Sequence, residues 1–343
     1  MNPKHTLFLE EMRALAQLPL PFERLRGKAI AVTGAAGLIG SSFLRALNAV
    51  DHAHGLGLKL IAMCRNPERA EKILADIENL EYRQYDACAP IGDDFRADYI
   101  LHAASNAHPM AFSNDPVGTM QANLLGTMQL LEHIRRHGGR LVFCSTGEIY
   151  GEDPAIEAFD EESFGAVNPM RARTCYPESK RAAESLCAAY AAQYGADALA
   201  ARLCYVYGPA ITSENSRADA QFLRRALAGE DIVMKSPGSQ VRSYCYAADA
   251  AAALLTLMMK GEKGQAYNIA NPMSVSSIRD YAQTLAGLAG VQLKFELPPE
   301  AEKKGYSTVT RAVLNPGKLM QLGWQPMYDL QAGLKHTLEI SKT

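Results

Sequence analysis

Short apolar runs that favour β-structure alternate with stretches of helical periodicity over the first two thirds of the chain. The apolar runs predict strands at 28–33, 59–64, 81–86, 98–105, 140–146 and 198–206. Apolar side chains at helical spacing predict helices from residue 38, from residue 67, over about 115–137 and over 176–194. Because strands that alternate with helices assemble into parallel sheets, this pattern predicts an α/β fold with a Rossmann-type, doubly wound parallel sheet.

The alternation loosens beyond Pro209. The predicted helices there lie near 217–229, 247–260, 276–289 and 329–341, with short apolar pieces at 232–234 and 267–269. We interpret residues 27–208 as mainly the dinucleotide-binding domain and 209–343 as mainly a smaller α/β substrate lobe, interleaved with the end of the sheet. Residues 1–26 are expected to form an accessory helical extension, because apolar positions at helical spacing stop before two prolines.

Composition excludes several classes of partner. The 343 residues are 48% hydrophobic and 21% charged, which is enough apolar material for one large core. A formal net charge of -2 gives no field that would attract nucleic acid or an anionic membrane. The longest apolar run, 250–259, is about half the length that spans a bilayer. We therefore expect neither nucleic acid nor a membrane as a partner.

Cysteine usage indicates a reducing compartment. The seven cysteines are odd in number and form no Cys-x-x-Cys pair, and the N-terminal residues lack the uninterrupted apolar core of a signal peptide. We expect a cytoplasmic protein. His133 and His137 lie four positions apart on a predicted helix, but no third ligand accompanies them at a suitable spacing, so no metal site is predicted.

A glycine-rich turn joins the first predicted strand to its helix, in the segment TGAAGLIG (33–40). Gly34 would permit the tight turn, Gly37 would let the backbone approach a pyrophosphate, and Gly40 would let the helix pack closely on the strand. Between a strand and a helix, this pattern predicts dinucleotide binding, against the alternative of an ordinary glycine-rich connection.

A second group of residues could carry acid–base chemistry. Tyr176 and Lys180 lie four positions apart and therefore share one face of a predicted helix, and Ser145 and Thr146 end a strand some thirty residues earlier. A nearby cation stabilises a phenolate, so we expect Lys180 to lower the pKa of Tyr176 and make it a base near neutral pH. Such a pair alone is common on solvated helices, and its combination with the glycine-rich turn makes it a candidate catalytic pair.

These motifs together resemble the extended short-chain dehydrogenase/reductases that modify nucleotide sugars, the NAD-dependent epimerase/dehydratase family. The resemblance runs from about Lys28 to the C-terminus. It is carried by TGAAGLIG (33–40), Asp86, HAAS (102–105), Asn123 with Gly126-Thr127, STGEIYG (145–151), YPESK (176–180), RLCYVYGP (202–209) and QVRSYCYAAD (240–249).

The resemblance implies a nicotinamide dinucleotide, NAD or NADP, and a nucleoside diphosphate sugar as substrate. It implies that Asp86 binds the adenine edge, that Thr146 hydrogen-bonds the sugar, and that Tyr176 and Lys180 are catalytic. The cofactor contacts expected on this basis are Gly34, Ala36, Gly37, Leu38, Ile39, Arg65, Asp86, Ala103, Ala104, Ser105, Ser145, Tyr176 and Lys180.

Within the family, the segments around 173–181 and 240–242 are most similar to UDP-glucuronate decarboxylases. The family's sugar dehydratases carry an Asp-Glu pair after the strand-end threonine, where this chain has Gly147-Glu148. A 4,6-dehydratase is therefore disfavoured, because the acid that protonates the leaving hydroxyl is missing. Glu148 is expected to act as a second acid/base or to orient a ring hydroxyl, with an exposed loop glutamate as the alternative.

Two further residues are expected to contact the substrate. Arg242 would bind the diphosphate or a sugar carboxylate, with a structural ion pair to Asp249 as the alternative. Tyr207, in the RLCYVYGP segment, is the other expected contact.

The end of the second strand bears on the choice of cofactor. NAD-specific members place an acid there to bind the ribose hydroxyls, but this chain reads Met63-Cys64-Arg65-Asn66. Arg65 would suit the 2′-phosphate of NADP, and with it a reductase that releases its cofactor. The competing interpretation is that Arg65 points to solvent and that tightly held NAD is recycled within each turnover.

The leading functional hypothesis is oxidation of a nucleoside diphosphate sugar at C4, followed by decarboxylation or epimerisation. The alternatives are an NADPH-dependent 4-ketosugar reductase and, in another class, a cofactor-binding regulatory protein without catalysis. We also expect a homodimer that joins the helix before His137 to the helix after Tyr176. Besides the resemblance, the dimer is expected because small residues on the second helix would let two helices approach closely. These residues are Ala182, Ala183, Ala188, Ala189, Ala191 and Ala192.

Overall fold

The computed structural model describes residues 1–212, 214–297 and 309–342. The strands in these ranges are β1 (Ala29–Thr33), β2 (Lys59–Cys64), β3 (Glu81–Gln84), β4 (Tyr99–His102), β5 (Arg140–Thr146), β6 (Asp197–Leu203), β7 (Tyr205–Tyr207), β8 (Ile232–Met234), β9 (Val241–Tyr246), β10 (Ala266–Ile269), β11 (Val275–Ser277), β12 (Leu293–Phe295) and β13 (Arg311–Ala312). The helices are α1 (Thr6–Ala16), α2 (Leu38–His54), α3 (Pro67–Ile73), α4 (Pro109–Asn114), α5 (Pro116–His137), α6 (Cys175–Tyr194), α7 (Ala218–Leu227), α8 (Ala247–Lys260), α9 (Ile278–Ala289), α10 (Gly317–Gln321) and α11 (Leu330–Ser341).

The main sheet has seven parallel strands in the order β10-β6-β5-β4-β1-β2-β3. One apolar layer joins the sheet to α2 and α8, and a second joins its other face to α5 and α6. Apart from the edge strand β3, the strands are largely buried on both faces, as expected of a parallel sheet covered by helices. The predicted doubly wound Rossmann-type sheet is confirmed.

The second half of the chain contributes to the main sheet and also builds smaller ones. Strand β10 extends the main sheet beyond β6, while β9 pairs with β7, β11 and β13, and β8 pairs with β12. No helix in the described part of the chain is long and apolar enough to cross a membrane.

The single strand predicted over 198–206 is two strands. The Cys204 backbone still donates to the Ile269 carbonyl of β10 (3.0 Å), but Tyr205 lies in register with Tyr244 of β9. The chain therefore leaves the main sheet at Cys204, and the next three residues form β7 of the smaller sheet.

The N-terminal helix is part of the core, so the expectation of an accessory extension is wrong. Leu15 is fully buried, and Glu11 is 2% exposed. The Glu11 carboxylate accepts a hydrogen bond from the Tyr246 hydroxyl (2.8 Å) and lies 2.7 Å from Nδ1 of His336. Helix α1 thus joins α11 to the end of β9.

Candidate active site

The glycine-rich turn has the conformation that its sequence predicts. Gly34 has a φ of +66°, and a Cβ atom there would lie 2.8 Å from the backbone of Ala103 and Ala104. A Cβ on Gly40 would lie 2.4 Å from the Gly34 carbonyl oxygen, so only glycine lets α2 approach β1 this closely. Gly37 is the N-cap of α2 and supplies no side-chain cap, which leaves the first backbone N–H groups of the helix available to an anion.

The adjacent strand ends form the floor of the cleft. The Ala104 backbone donates to Oγ1 of Thr33 (3.1 Å), which also lies 2.7 Å from Nδ1 of His102. Burial lowers the pKa of His102 to about 3, so its imidazole is neutral at physiological pH. Oγ of Ser145 is buried and has no hydrogen-bond partner among the described residues. An unsatisfied hydroxyl beside a glycine-rich turn and an uncapped helix fits a bound dinucleotide.

The predicted catalytic residues come together beside this floor. Tyr176 and Lys180, in the first turns of α6, are 7% and 2% exposed, and the Lys180 ammonium lies 6.0 Å from the centroid of the Tyr176 ring. Lys180 donates to the Cys144 carbonyl (2.7 Å). Thr146, at the end of β5, hydrogen-bonds the Tyr176 hydroxyl. Ser105 lies close by and donates to Asn123, which in turn donates to Ser179 of α6 (both 2.8 Å).

The expected lowering of the Tyr176 pKa by Lys180 is wrong. Burial raises the pKa of Tyr176, and the nearby Glu148 carboxylate raises it further, against the Thr146 hydrogen bond and Arg217. Burial also lowers the pKa of Lys180 to about 8. The phenol is therefore protonated at neutral pH, because desolvation outweighs the favourable charges around it.

Glu148 belongs to the cleft and is not an exposed loop residue. Its carboxylate, half-buried after Thr146, pairs with the Arg173 guanidinium (2.9 Å). That guanidinium also lies over the Phe112 ring (5.1 Å), and Phe112 stacks on Tyr176 with ring centroids 5.3 Å apart. The stack shields one face of the Tyr176 phenol from water.

Two more arginines border the same space. Arg217 forms a bidentate pair with Asp219 (2.6 and 3.1 Å) and donates to the Val206 carbonyl. Arg242 is 3% exposed and donates to the Val241 and Val309 carbonyls. Within the described ranges no carboxylate pairs with Arg242, which leaves its buried charge open to an anion.

The alternative partner proposed for Arg242 is engaged elsewhere. Asp249 accepts hydrogen bonds from the backbone of Met327 (2.7 Å) and Tyr328 (3.3 Å). The structural ion pair between Arg242 and Asp249 is therefore not formed.

The Tyr207 side chain lies in the core and does not reach the candidate active site. Its side chain is fully buried, and its hydroxyl donates to the Leu330 carbonyl (3.4 Å) at the start of α11. Its ring packs against Tyr246 and Tyr281. The expected substrate contact at Tyr207 is not supported, because the core encloses the phenol.

The residues expected at the adenosine end of the cofactor lie on the far side of the glycine-rich turn. Arg65 follows β2 directly and is exposed, with no ion-pair partner in the part of the chain that the structure describes. Asp86 follows β3, is exposed, and accepts a hydrogen bond from the Cys88 backbone (2.9 Å). Both side chains are at the edge where an adenosine would lie over the sheet.

Gly147 matters for what the site excludes. A Cβ atom at this position would lie 3.0 Å from Cδ1 of Leu314. The position where the family's dehydratases carry their aspartate therefore has no carboxylate here, and Leu314 leaves little room for a side chain.

Several residues of the site were missed by the sequence analysis. Phe112, Tyr205 and Arg217 arrive from α4, β7 and the segment before α7, far apart along the chain. Tyr205 lies inside the quoted RLCYVYGP segment, but two tyrosines two positions apart share one face of a strand, so the pattern could not say which one reaches the cleft.

Comparisons with known proteins agree with this geometry. Residues 30–270 match the model of the NAD dependent epimerase/dehydratase family. The chain is 31% identical to UDP-glucuronic acid decarboxylase 1 of Danio rerio over 312 residues, which cover 91% of this chain and 72% of that protein. It is 32% identical to UDP-glucuronic acid decarboxylase 6 of Arabidopsis thaliana over 323 residues, covering 89% and 86%. The structure of Thermus thermophilus UDP-glucose 4-epimerase in complex with NAD is similar with a TM-score of 0.76 at 28% identity, covering 91% and 98%.

Proposed function

Because the chain belongs to the NAD-dependent epimerase/dehydratase family, we propose that it decarboxylates a nucleoside diphosphate hexuronate, of which UDP-glucuronate is the first candidate. The observation that carries this proposal is Arg242, which lies over the Tyr205 ring and is buried without a carboxylate partner among the described residues. Relatives at 31% and 32% identity bear the name UDP-glucuronic acid decarboxylase.

The dinucleotide would be held over the glycine-rich turn. Its pyrophosphate would meet the uncapped N-terminus of α2 at Gly37 to Ile39, with Ala36 beside it, and its middle would pass over Ala103 and Ala104. Ser145 would supply a hydroxyl to it, and Lys180 a cationic donor. When bound, the oxidised cofactor supplies the hydride acceptor and a positive ring that favours the phenolate of Tyr176.

Tyr176 and Thr146 would act on the C4 hydroxyl of the sugar. Tyr176 takes the hydroxyl proton as C4 becomes a carbonyl, and Thr146 fixes the oxygen through a hydrogen bond. Lys180 stabilises the phenolate and orients the ribose beside it. A carbonyl at C4 is β to a carboxylate at C6, so the bond between C5 and C6 can break with loss of carbon dioxide, its electron pair passing to the C4 oxygen as an enolate. C5 would then take a proton, and return of the hydride to C4, with the proton from Tyr176, would give the pentose.

The charged residues would position the acidic sugar. Arg242 attracts the anionic substrate, and Glu148, held by Arg173, can orient a ring hydroxyl or exchange a proton. The absence of a side-chain acid at Gly147 argues against elimination of a leaving hydroxyl. These contacts favour a carboxylate-bearing sugar over a neutral one.

A specific observation keeps a second candidate open. Arg65 lies exposed at the end of β2, where a guanidinium can pair with a 2′-phosphate. An NADPH-dependent 4-ketosugar reductase would use the same Tyr176 as a proton donor. Epimerisation would use the same first step, followed by return of hydride to the other face of the sugar.

We propose in addition that the protein is a homodimer through α5 and α6. The exposed side of α5 carries Val117, Met120, Leu125 and Met128. Small exposed residues on α6 would allow close helix approach: Ala182, Ala188, Ala189 and Ala192. Ala183 is fully buried in the core and therefore cannot contribute to the predicted contact.

A substrate panel tests the proposed function. The protein is incubated with UDP-, dTDP-, CDP- and GDP-linked uronates and hexoses, with and without added NAD(H) or NADP(H), and products are identified by mass spectrometry and NMR. We expect turnover of a uronate to a pentose nucleotide. Turnover of neutral hexoses alone would overturn the proposal.

A further inference from the structure

Tyr205 is a second phenol at the cleft, and no motif assigns it a role. It lies on β7 and is half-buried. The guanidinium of Arg242 lies 5.5 Å from the centroid of its ring, and that of Arg217 lies 6.0 Å away. Two cations over one aromatic ring fix the direction of the phenol.

The two phenols border one space. Ser216, which precedes Arg217, accepts a hydrogen bond from the Met110 backbone at the start of α4 (3.1 Å). The same helix carries Phe112, which stacks on Tyr176. Tyr205 therefore borders the space around Tyr176 from the side of the smaller sheet.

The Tyr205 hydroxyl is available to a ligand. Over the described ranges it makes no hydrogen bond, whereas the hydroxyls of Tyr150, Tyr207 and Tyr246 each bond to a protein oxygen. A half-buried hydroxyl that has no protein partner and borders a pocket is free to donate to a ligand.

The surrounding charges select the sign of that partner. Asp219 neutralises Arg217 and Glu148 neutralises Arg173, but Arg242 contacts only backbone carbonyls within the described residues. The pocket is therefore positive overall, and an anion there would be favoured by both charge and hydrogen bonding.

We propose that Tyr205 is a substrate-contacting residue that selects an acidic sugar, its hydroxyl donating a hydrogen bond to the C6 carboxylate of a hexuronate. This inference rests on the proposed function, which places the C4 hydroxyl against Tyr176. C6 is carried by C5, the neighbour of C4, so its carboxylate lies on the Tyr176 side of the ring. The diphosphate, carried by C1, lies on the opposite side.

The test compares Tyr205→Phe with the wild-type protein by calorimetric titration of UDP-glucuronate and UDP-glucose. A hydrogen bond to a charged group is worth about tenfold or more in affinity, so we expect Tyr205→Phe to weaken UDP-glucuronate by about that factor and to leave UDP-glucose nearly unchanged. Tyr267→Phe is the matched control, because it removes a buried hydroxyl that meets only the Glu262 backbone (3.0 Å). This control should bind both ligands as the wild type does.

Two results would overturn the role of Tyr205. Equal weakening of both ligands would place its hydroxyl at the diphosphate, and unchanged binding of both would remove it from the site. The proposed function fails separately if the wild-type protein releases no carbon dioxide from UDP-glucuronate while Tyr205→Phe still lowers its preference for the uronate.

Discussion

At the scale of single residues, the phenol of Tyr176 is protonated, whereas its proposed role as a base requires the phenolate. Burial and Glu148 keep Tyr176 protonated in the free protein. A base that becomes competent only when its cation and substrate are in place will not abstract protons unproductively. In the proposed mechanism, the positive ring of the oxidised cofactor is the charge that would reverse this preference.

Tyr176→Phe should therefore abolish turnover without emptying the cofactor site. We expect turnover to fall by about two orders of magnitude or more, because general acid–base catalysis typically contributes that much. Cofactor affinity, measured by fluorescence titration, should stay nearly unchanged, because the stack with Phe112 keeps the ring in place. Turnover close to that of the wild type would contradict the assignment of Tyr176 as the acid/base.

Arg65→Ala tests whether Arg65 makes the protein prefer NADP(H) over NAD(H). A guanidinium that forks onto a 2′-phosphate contributes about 1.5 to 3 kcal/mol, so the variant should lose roughly tenfold or more in NADP(H) affinity. NAD(H) affinity should be unchanged. Arg26→Ala, at an exposed pair with Glu23 far from the cleft, is the control. An equal change in the affinity for both cofactors would show that Arg65 does not bind the 2′-phosphate.

At the scale of elements, local spacing predicted what lies within one helix or one turn. Tyr176 and Lys180 were predicted as a pair because four positions along a helix bring two side chains to one face. Gly34 and Gly40 were predicted because their conformation and packing depend on the turn itself. Phe112, Tyr205 and Arg217 were not, because only the tertiary arrangement of α4, β7 and the segment before α7 brings them to Tyr176.

The split of β6 from β7 was missed for the same reason. The apolar run over 198–206 is continuous, and nothing within it marks Cys204 as a boundary. The change of sheet is set by pairing of Tyr205 with Tyr244, a residue of β9. Periodicity reports that a segment is extended and does not report its partner strand.

The start of α8 carries a buried carboxyl whose titration should affect folding. Burial raises the pKa of Asp249 to about 7, against its backbone hydrogen bonds from Met327 and Tyr328. Between about pH 4 and 7 the folded protein then binds more protons than the unfolded chain, so this group makes the free energy of unfolding fall as pH rises. The Asp249→Asn variant serves as the reference, because an asparagine side chain does not titrate in this range.

The free energy of unfolding of the wild type, taken relative to Asp249→Asn, should therefore decrease from about pH 4.5 to about pH 7.5. Urea unfolding at the two pH values measures it. A difference that stays constant, or one that grows as pH rises, would show that Asp249 is ionised in the folded protein throughout this range.

At the scale of the whole molecule, the α5 and α6 surface should determine assembly. Light scattering should give twice the chain mass of 37.3 kDa at micromolar concentration. Met128→Glu places a charge on the exposed apolar side of α5 and should shift the protein towards the monomer. Met273→Glu, at an exposed methionine in the second half of the chain, should leave the mass unchanged. A monomeric wild-type protein would reject the proposed dimer.

The central claim is that oxidation at C4 leads to loss of the C6 carboxylate, with the hydride returned in the same turnover. UDP-glucuronate labelled with carbon-13 at C6 is incubated with the protein and a substoichiometric amount of NAD, and the products are followed by NMR. We predict that the label appears in carbon dioxide and bicarbonate while a UDP-pentose accumulates over many turnovers per cofactor. Label retained in a six-carbon nucleotide sugar, whether as the C4 epimer or as a keto sugar formed in proportion to the added cofactor, would contradict the claim.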